Sequence, residues 1–355
     1  MKKYNRRNFV QTTLSAGLGI GLSNKVLSSN YVYKMESKRI GIIGLDGSHA
    51  VEFTKAINDP EASQEYLGYR VVAAYPQGSL DIQSSVVRVP LYTKEMRKLG
   101  IDIVNSIEEL LDKVDAVFMV TNDGRRHLEQ ALPVFKAKKR MYIDKPLAAS
   151  LKDGLDIFAA AKHYDVAVYS SSNDRFLRTH QEIANGKIGN VIGADVYAPS
   201  PIEKTHPSLF WYGIHGVETL CTIMGTGCKS VVRVFKNDTD ISIGVWSDNR
   251  IGVNRAMRTG RKGRGGTAYG DKEIVSFKRD ASVDENNVFA PYKNMIDFFS
   301  TGIVPVRPEQ TLEVLAFMEA AEESRLNGGK QVKIETIMQR ARNSDGRLEL
   351  NQLST

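Results

Sequence analysis

Two side chains in this 355-residue sequence sit where proton and carbonyl chemistry would need them. Lys145 follows the apolar run Met141-Tyr142-Ile143 and precedes Pro146, a junction that would fix an ammonium at the ligand edge of a sheet. An ammonium there polarises a carbonyl or orients a hydroxyl, and burial would lower its pKa. His215 falls inside a helical stretch, about Trp211–Met224, in Gly213-Ile214-His215-Gly216-Val217-Glu218. A neutral imidazole facing a cleft takes the proton of a carbinol. The blander readings are an exposed loop lysine and a histidine that only packs.

A third place could hold an anion. Ile40-Gly41-Ile42-Ile43 reads as a short buried strand ending at Gly44, with a helix starting near His49. A dinucleotide fingerprint needs G-x-G-x-x-G there. The three positions hold Gly44, Asp46 and His49, so only the first matches. Asp46 would turn its charge toward a phosphate, while Gly47 would take over the close approach. Ser48 and the amides of the helix start would still bind an anion. The alternative is an ordinary strand–helix turn capped by Asp46 or Ser48. The next strand ends in Ala73-Ala74-Tyr75-Pro76 without the carboxylate that ribose hydroxyls favour. Arg88 reads as a solvated loop residue, or otherwise as a partner for a 2′-phosphate.

These positions need a sheet to hold them. From about residue 38 to 172, apolar strands alternate with helical stretches, which makes βαβ units on a parallel sheet. Pro76–Arg88 reads as a polar loop and the next helix as lying around Lys94–Leu99. After residue 172 come strand-like segments without alternating helices: Val191–Ala198, Lys229–Phe235, Ile241–Trp246, Arg250–Arg258 and Glu273–Phe277. Helices near Pro291–Ser300 and Pro308–Leu326 close the chain. The expected fold is therefore α/β: an N-terminal Rossmann-type doubly wound parallel sheet, then an α+β domain with a mostly antiparallel sheet. The expected boundaries are 1–36, 37–172 and 173–355.

Residues 1–36 read as an address. Arg6-Arg7-Asn8-Phe9 precedes a weakly apolar run from Leu14 to Leu22, the pattern of a twin-arginine (Tat) export signal. That run is too short to span a bilayer, so no stable membrane span is expected. Export to the periplasm through the Tat machinery follows. The first thirty residues hold five basic and no acidic side chains; taking those from the formal +7 leaves +2 for the rest. So small a field argues against nucleic acid as a partner. Cys221 and Cys228, the only cysteines, read as buried thiols. The scattered histidines give no metal site.

Three stretches together resemble the Gfo/Idh/MocA oxidoreductases. They are Val117–Asn122 with His127 and Glu129, then Tyr142-Ile143-Asp144-Lys145-Pro146 (Asp for the family's Glu), then Gly213–Glu218. The tail Pro308–Val314 fits as well. The resemblance covers about residues 38–335. It implies a bound NAD or NADP and a sugar-like substrate. It also implies a cis Pro146, an open sheet that pairs into a homo-oligomer, and catalysis by Lys145 and His215. Gly44, Asp46, Gly47, Ser48, His49, Tyr75, Thr121, Asn122, His127, Asp144 and Lys145 become the cofactor candidates. Asn173, Arg175, Trp211, Tyr212 and Glu218 become the substrate candidates, with His206 near the cleft. The family has an Asp four residues before the histidine, where this chain has Trp211; Glu218 is the one acidic group nearby that would partly replace it. Arg255, Arg258, Arg261, Lys262 and Arg264 read as a solvated loop in preference to a site for an anionic sugar. The competing function is a carbohydrate-binding or structural descendant without redox chemistry.

Overall fold

The computed structural model describes residues 38–260, 263–279, 289–345 and 348. Residues 1–36, read above as an export signal, and Arg261 and Lys262 lie outside them. β1 (Arg39–Ile43), β2 (Arg70–Tyr75), β3 (Asp102–Ile103), β4 (Ala116–Met119), β5 (Arg140–Asp144) and β6 (Val168–Ser171) form one sheet, in the order 3-2-1-4-5-6. Every pair in it is parallel. β4 and β6 are buried at every position, as strands covered on both faces must be. The strand order reverses between β1 and β4, which opens the crevice where ligands of such sheets bind.

The connecting helices are α1 (His49–Ile57), α2 (Gln83–Lys98), α3 (Ile107–Leu111), α4 (His127–Lys136) and α5 (Leu151–His163). α2 corrects the reading of a loop up to Arg88. The helix starts at Gln83 and carries Pro90 within it. Its sequence hides it, because only Ser85, Thr93 and Met96 are buried and no apolar stripe marks the face.

The second sheet has seven strands: β7 (Val191–Pro199), β8 (Cys228–Phe235), β9 (Thr239–Trp246), β10 (Ile251–Met257), β11 (Gly265–Gly270), β12 (Ile274–Lys278) and β13 (Val332–Lys333). Their order is 12-11-7-10-9-8-13, and only β7 and β10 run parallel. β10 takes in Arg255, the start of the stretch read as a basic loop, and β11 begins just after Arg264. Arg255 lies on the exposed side of β10, Arg258 is buried against Asp240, and Arg264 pairs with Asp174. The arginines therefore face three different surroundings.

Five more helices complete the chain: α6 (Arg178–Ala184), α7 (Ile214–Met224), α8 (Phe289–Thr301), α9 (Pro308–Leu326) and α10 (Ile334–Arg342). α7 and α9 cover one face of the second sheet. α8 returns to the first sheet, where Phe299 packs on Phe118 at 5.0 Å and Tyr292 on Phe53 at 4.8 Å. Cys221 and Cys228 are both buried free thiols, their pKa values pushed up by burial.

Candidate active site

The turn from β1 into α1 is held against the end of β4. Gly44 adopts φ +92°, and a Cβ there would lie 2.5 Å from the backbone nitrogen of Thr121. Asp46 corrects the expectation of a charge facing the ligand. It is fully buried; its Oδ2 accepts from Ser85 Oγ at 2.6 Å and its Oδ1 from the Asn122 amide at 3.0 Å. Burial raises its pKa. Asp46 is thus a brace between the turn, α2 and the loop after β4. Gly47 and Ser48 remain at the wall of a cleft of about 570 Å³, together with His49, Asn122 and Lys145. Ser84, Arg88 and Tyr92 of α2 line it too, so Arg88 belongs to a helix facing the cleft.

β5 delivers the second group. Asp144 Oδ2 lies 2.9 Å from His49 Nδ1 and 3.2 Å from Lys145 Nζ, while Tyr142 donates to its Oδ1 at 3.1 Å. Although burial opposes ionisation, the neighbouring Lys145 and His49 hold this carboxyl well below the usual carboxylate range. Lys145 precedes a cis proline, Pro146, and its side chain is about one-tenth exposed. Asp144 thus fixes the lysine from behind and leaves Nζ at the cleft.

The third group comes from the second domain. Leu209–Gly213 forms a π turn ahead of α7. Such turns shift side-chain register, so Trp211 does not occupy the position one α-helical turn before His215. Its ring packs on His206 at 5.1 Å, and Tyr212 meets His215 at 5.2 Å. Lys145 Nζ stands 5.8 Å from the centre of the same tyrosine ring. Lysine and imidazole therefore approach Tyr212 from opposite domains. His215 Nδ1 lies 2.8 Å from Ser172 Oγ; with the Nδ1 proton donated there, Nε2 keeps its lone pair. Burial, with Arg264, Lys145, His49 and Arg279 adding positive charge, drives the His215 pKa well below 6.5.

Several sequence candidates have structural duties instead. His127 is buried, with Nδ1 3.0 Å from the Leu147 carbonyl and Nε2 2.8 Å from that of Thr121. It ties two loops together and does not reach the cleft. Tyr75 lines a separate hollow beside Gln77, Leu132 and Lys136. Arg175 and Glu218 form a buried ion pair at 2.8 Å, and Glu218 also accepts from the Ser172 amide at 2.7 Å. Glu218 therefore anchors the serine that touches His215 and does not replace the missing aspartate. That place goes to Asp174, whose Oδ2 lies 3.9 Å from His215 Nδ1. Sequence reasoning passed over Asp174 although it stands between Asn173 and Arg175. Thr121 is buried under Gly44, and Asn173 shares the 3-10 turn with Asp174.

Comparison with known proteins places this geometry. Residues 38–172 match the model of an oxidoreductase family with an NAD-binding Rossmann fold. That stretch, the first sheet with its helices, is the part of the chain that matches the Gfo/Idh/MocA oxidoreductases. A 1,5-anhydro-D-fructose reductase from Ensifer adhaerens is 35% identical over 100 residues, 26% of this chain and 30% of that protein. The chain spans 30–40% of the length of the curated relatives it matches. A probable dehydrogenase from Thermotoga maritima superposes with a TM-score of 0.69 at 19% identity, over 84% of this chain and 99% of that one. A scyllo-inositol dehydrogenase from Lactobacillus casei, solved with NAD(H) and scyllo-inositol, gives 0.69 at 13% identity, over 84% of this chain and all (100%) of that one. These two likenesses show a shared fold.

The residues present fit one end of such a cofactor better than the other. The start of α1, where the Ser48 side chain makes no cap bond, suits a pyrophosphate. Asn122 and Lys145 at the cleft wall suit the nicotinamide end. Toward the adenosine end, the loop after β2 crosses the end of β1 onto the loop after β4. Gln130 donates to Gln77 at 2.8 Å, Ser79 bonds Asp123, and Arg125 pairs with Asp81 at 2.8 Å. Asp123 also meets His206 at 3.1 Å, and these donors hold its carboxyl far below the usual range against the cost of burial. An adenosine seated outside the ends of β1 and β2 would meet this clasp.

Proposed function

We propose that the protein is an NAD(P)-dependent oxidoreductase that interconverts a hydroxyl and a carbonyl on a sugar, polyol or glycoside. The observation that carries this reading is the approach of Lys145 and His215 to one tyrosine ring beside a cleft that runs to the start of α1. When bound, NAD(P) supplies the hydride acceptor or donor. Lys145 orients the substrate oxygen and stabilises negative charge on it. His215 takes the hydroxyl proton at Nε2 in oxidation and returns it in reduction. Trp211 and Tyr212 offer flat faces to a sugar ring. The reductase and inositol dehydrogenase names among the relatives support a sugar-like substrate.

We further propose that residues 1–36 direct Tat export to the periplasm with the cofactor loaded and recycled on the enzyme. A homo-oligomer forms through the uncovered face of the second sheet. Replacing Arg6 and Arg7 by Lys should hold the protein in the cytoplasm, and secretion unchanged by that pair would remove the export reading.

A second reading, a carbohydrate binder without redox chemistry, is favoured by the clasp across the adenosine end. One experiment separates them. The purified full chain is denatured and its released small molecules are weighed, and the folded chain is titrated with NADH and NADPH. Released NAD(P), or saturable binding with nicotinamide absorbance that changes on adding sugars, supports the oxidoreductase. No release and no binding at millimolar concentrations leaves the binder.

A further inference from the structure

We propose that the substrate carries a negative charge, and that Arg264 receives it while Asn173 accepts a neighbouring hydroxyl; the class is an acidic or phosphorylated monosaccharide. This rests on the oxidoreductase reading above, because that reading seats the reacting carbon beside His215. Arg264 leads into β11 and reaches across to the hinge between the domains. Its Nη1 donates to Asp174 Oδ2 at 2.7 Å, and the same carboxylate oxygen stands 3.9 Å from His215 Nδ1. Guanidinium and imidazole are therefore joined through one carboxylate oxygen, on the Nδ1 edge of the ring.

Arg264 is not used up by this contact. Among the described residues its guanidinium makes one hydrogen bond, from one of five N–H groups, and its side chain is one-fifth exposed. Asp174 also accepts from Arg279 at 2.8 Å, so its charge is divided between two guanidiniums. The remaining edge of Arg264 is a planar fork, the shape that binds a carboxylate or phosphate with two parallel bonds. A second observation points the same way. Asn173 Oδ1 is buried without a hydrogen-bond partner among the described residues, one position before Asp174. A buried acceptor left unpaired is costly, and a sugar hydroxyl would satisfy it. A carboxylate or phosphate for Arg264 and a hydroxyl for Asn173 meet on one small molecule, an anionic sugar. A neutral polyol leaves the fork unused.

Calorimetric titration of the full chain with glucuronate and glucose 6-phosphate, against glucose and myo-inositol, tests this with NADH absent and then present. At least one anionic sugar should bind about tenfold or more tightly than glucose, with the preference shrinking as salt rises. Comparing the two anions separates carboxylate from phosphate recognition. Arg264→Gln should abolish the preference, and Arg264→Lys should keep part of it, each with a melting curve to verify folding. Equal affinity for neutral and anionic sugars, binding of neither, or a preference that survives in Arg264→Gln overturns the proposal. NADH that fails to bind while glucuronate binds overturns the redox reading and leaves the anion site standing.

Discussion

Asp174 Oδ2 stands 3.9 Å from His215 Nδ1, with Ser172 Oγ between them in role at 2.8 Å from the same nitrogen. The carboxylate missing at Trp211, in the π turn ahead of α7, is thus supplied from the hinge that follows β6. Ser172 Oγ also accepts from the Asp174 amide at 3.2 Å, so one short turn holds both groups behind the ring. His215→Ala should lower kcat by about 10²–10⁴-fold, the usual worth of a general base, with NADH affinity kept. Ser172→Ala should cost less and move the acid limb of the kcat/KM profile, because it acts only through the ring. A His215→Ala enzyme with unchanged kcat would end the assignment.

The same imidazole sets a pH dependence with a definite sign. His215 and His127 are both buried, and burial lowers both pKa values from 6.5 in the folded state. The unfolded chain therefore binds these protons first as pH falls. Their contribution is fully present above about pH 6.5 and is lost progressively below it. Urea midpoints should be flat from pH 8 to 7 and should decline from about pH 6.5 downward. The base itself stays unprotonated through this range, so kcat/KM should hold to lower pH than an unperturbed histidine allows. Activity that falls through an apparent pKa of about 6.5 contradicts the burial argument.

Between the loops after β2 and β4, the clasp predicts an unusual gain of function. Opening it consumes the Ser79–Asp123 and Arg125–Asp81 contacts before adenosine can enter. The outer pair is half-exposed and worth little alone. The buried hydroxyl–carboxylate bond is the stronger one, at about 1.5–3 kcal/mol. Ser79→Ala combined with Asp81→Ala should tighten NADH binding roughly tenfold while leaving Asp123 held by Arg125 and His206. Calorimetry reads this directly, and weaker or unchanged binding would show that the loop does not compete with the cofactor.

The parallel sheet was legible because buried strands declare themselves: Ile40–Ile43, Ala116–Met119 and Met141–Ile143 are continuous apolar runs. Lys145 follows β5 of that sheet and His215 lies on α7 of the second domain, and their pairing was expected from the resemblance of those short motifs. Three features escaped for physical reasons. α2 buries too few side chains to leave a periodic stripe. The inward turn of Asp46 depends on Ser85, 39 residues away, and no local pattern encodes such a partner. Asp174 and Arg264 meet across 90 residues, and a serine-rich hinge beside a glycine-rich strand gives no hint that they pair.

The uncovered face of the second sheet supports the last prediction. Along β8, β9 and β10 the residues pointing away from α7 and α9 include Val232, Ile241, Ile243, Val245, Ile251 and Val253. Register sets Ile243 beside both Val232 and Val253, and Val245 beside Ile251. All six are half-buried or exposed on a single chain. A contiguous apolar face of this kind on a soluble domain marks an interaction surface. A second copy meeting it face to face buries the same residues twice, as a two-fold interface requires. Ile243→Lys places a charge at the centre and should convert the oligomer to monomer in light scattering, with little loss of secondary structure by circular dichroism. If the wild-type chain is monomeric at tens of micromolar, or the variant keeps its mass, the face serves another purpose.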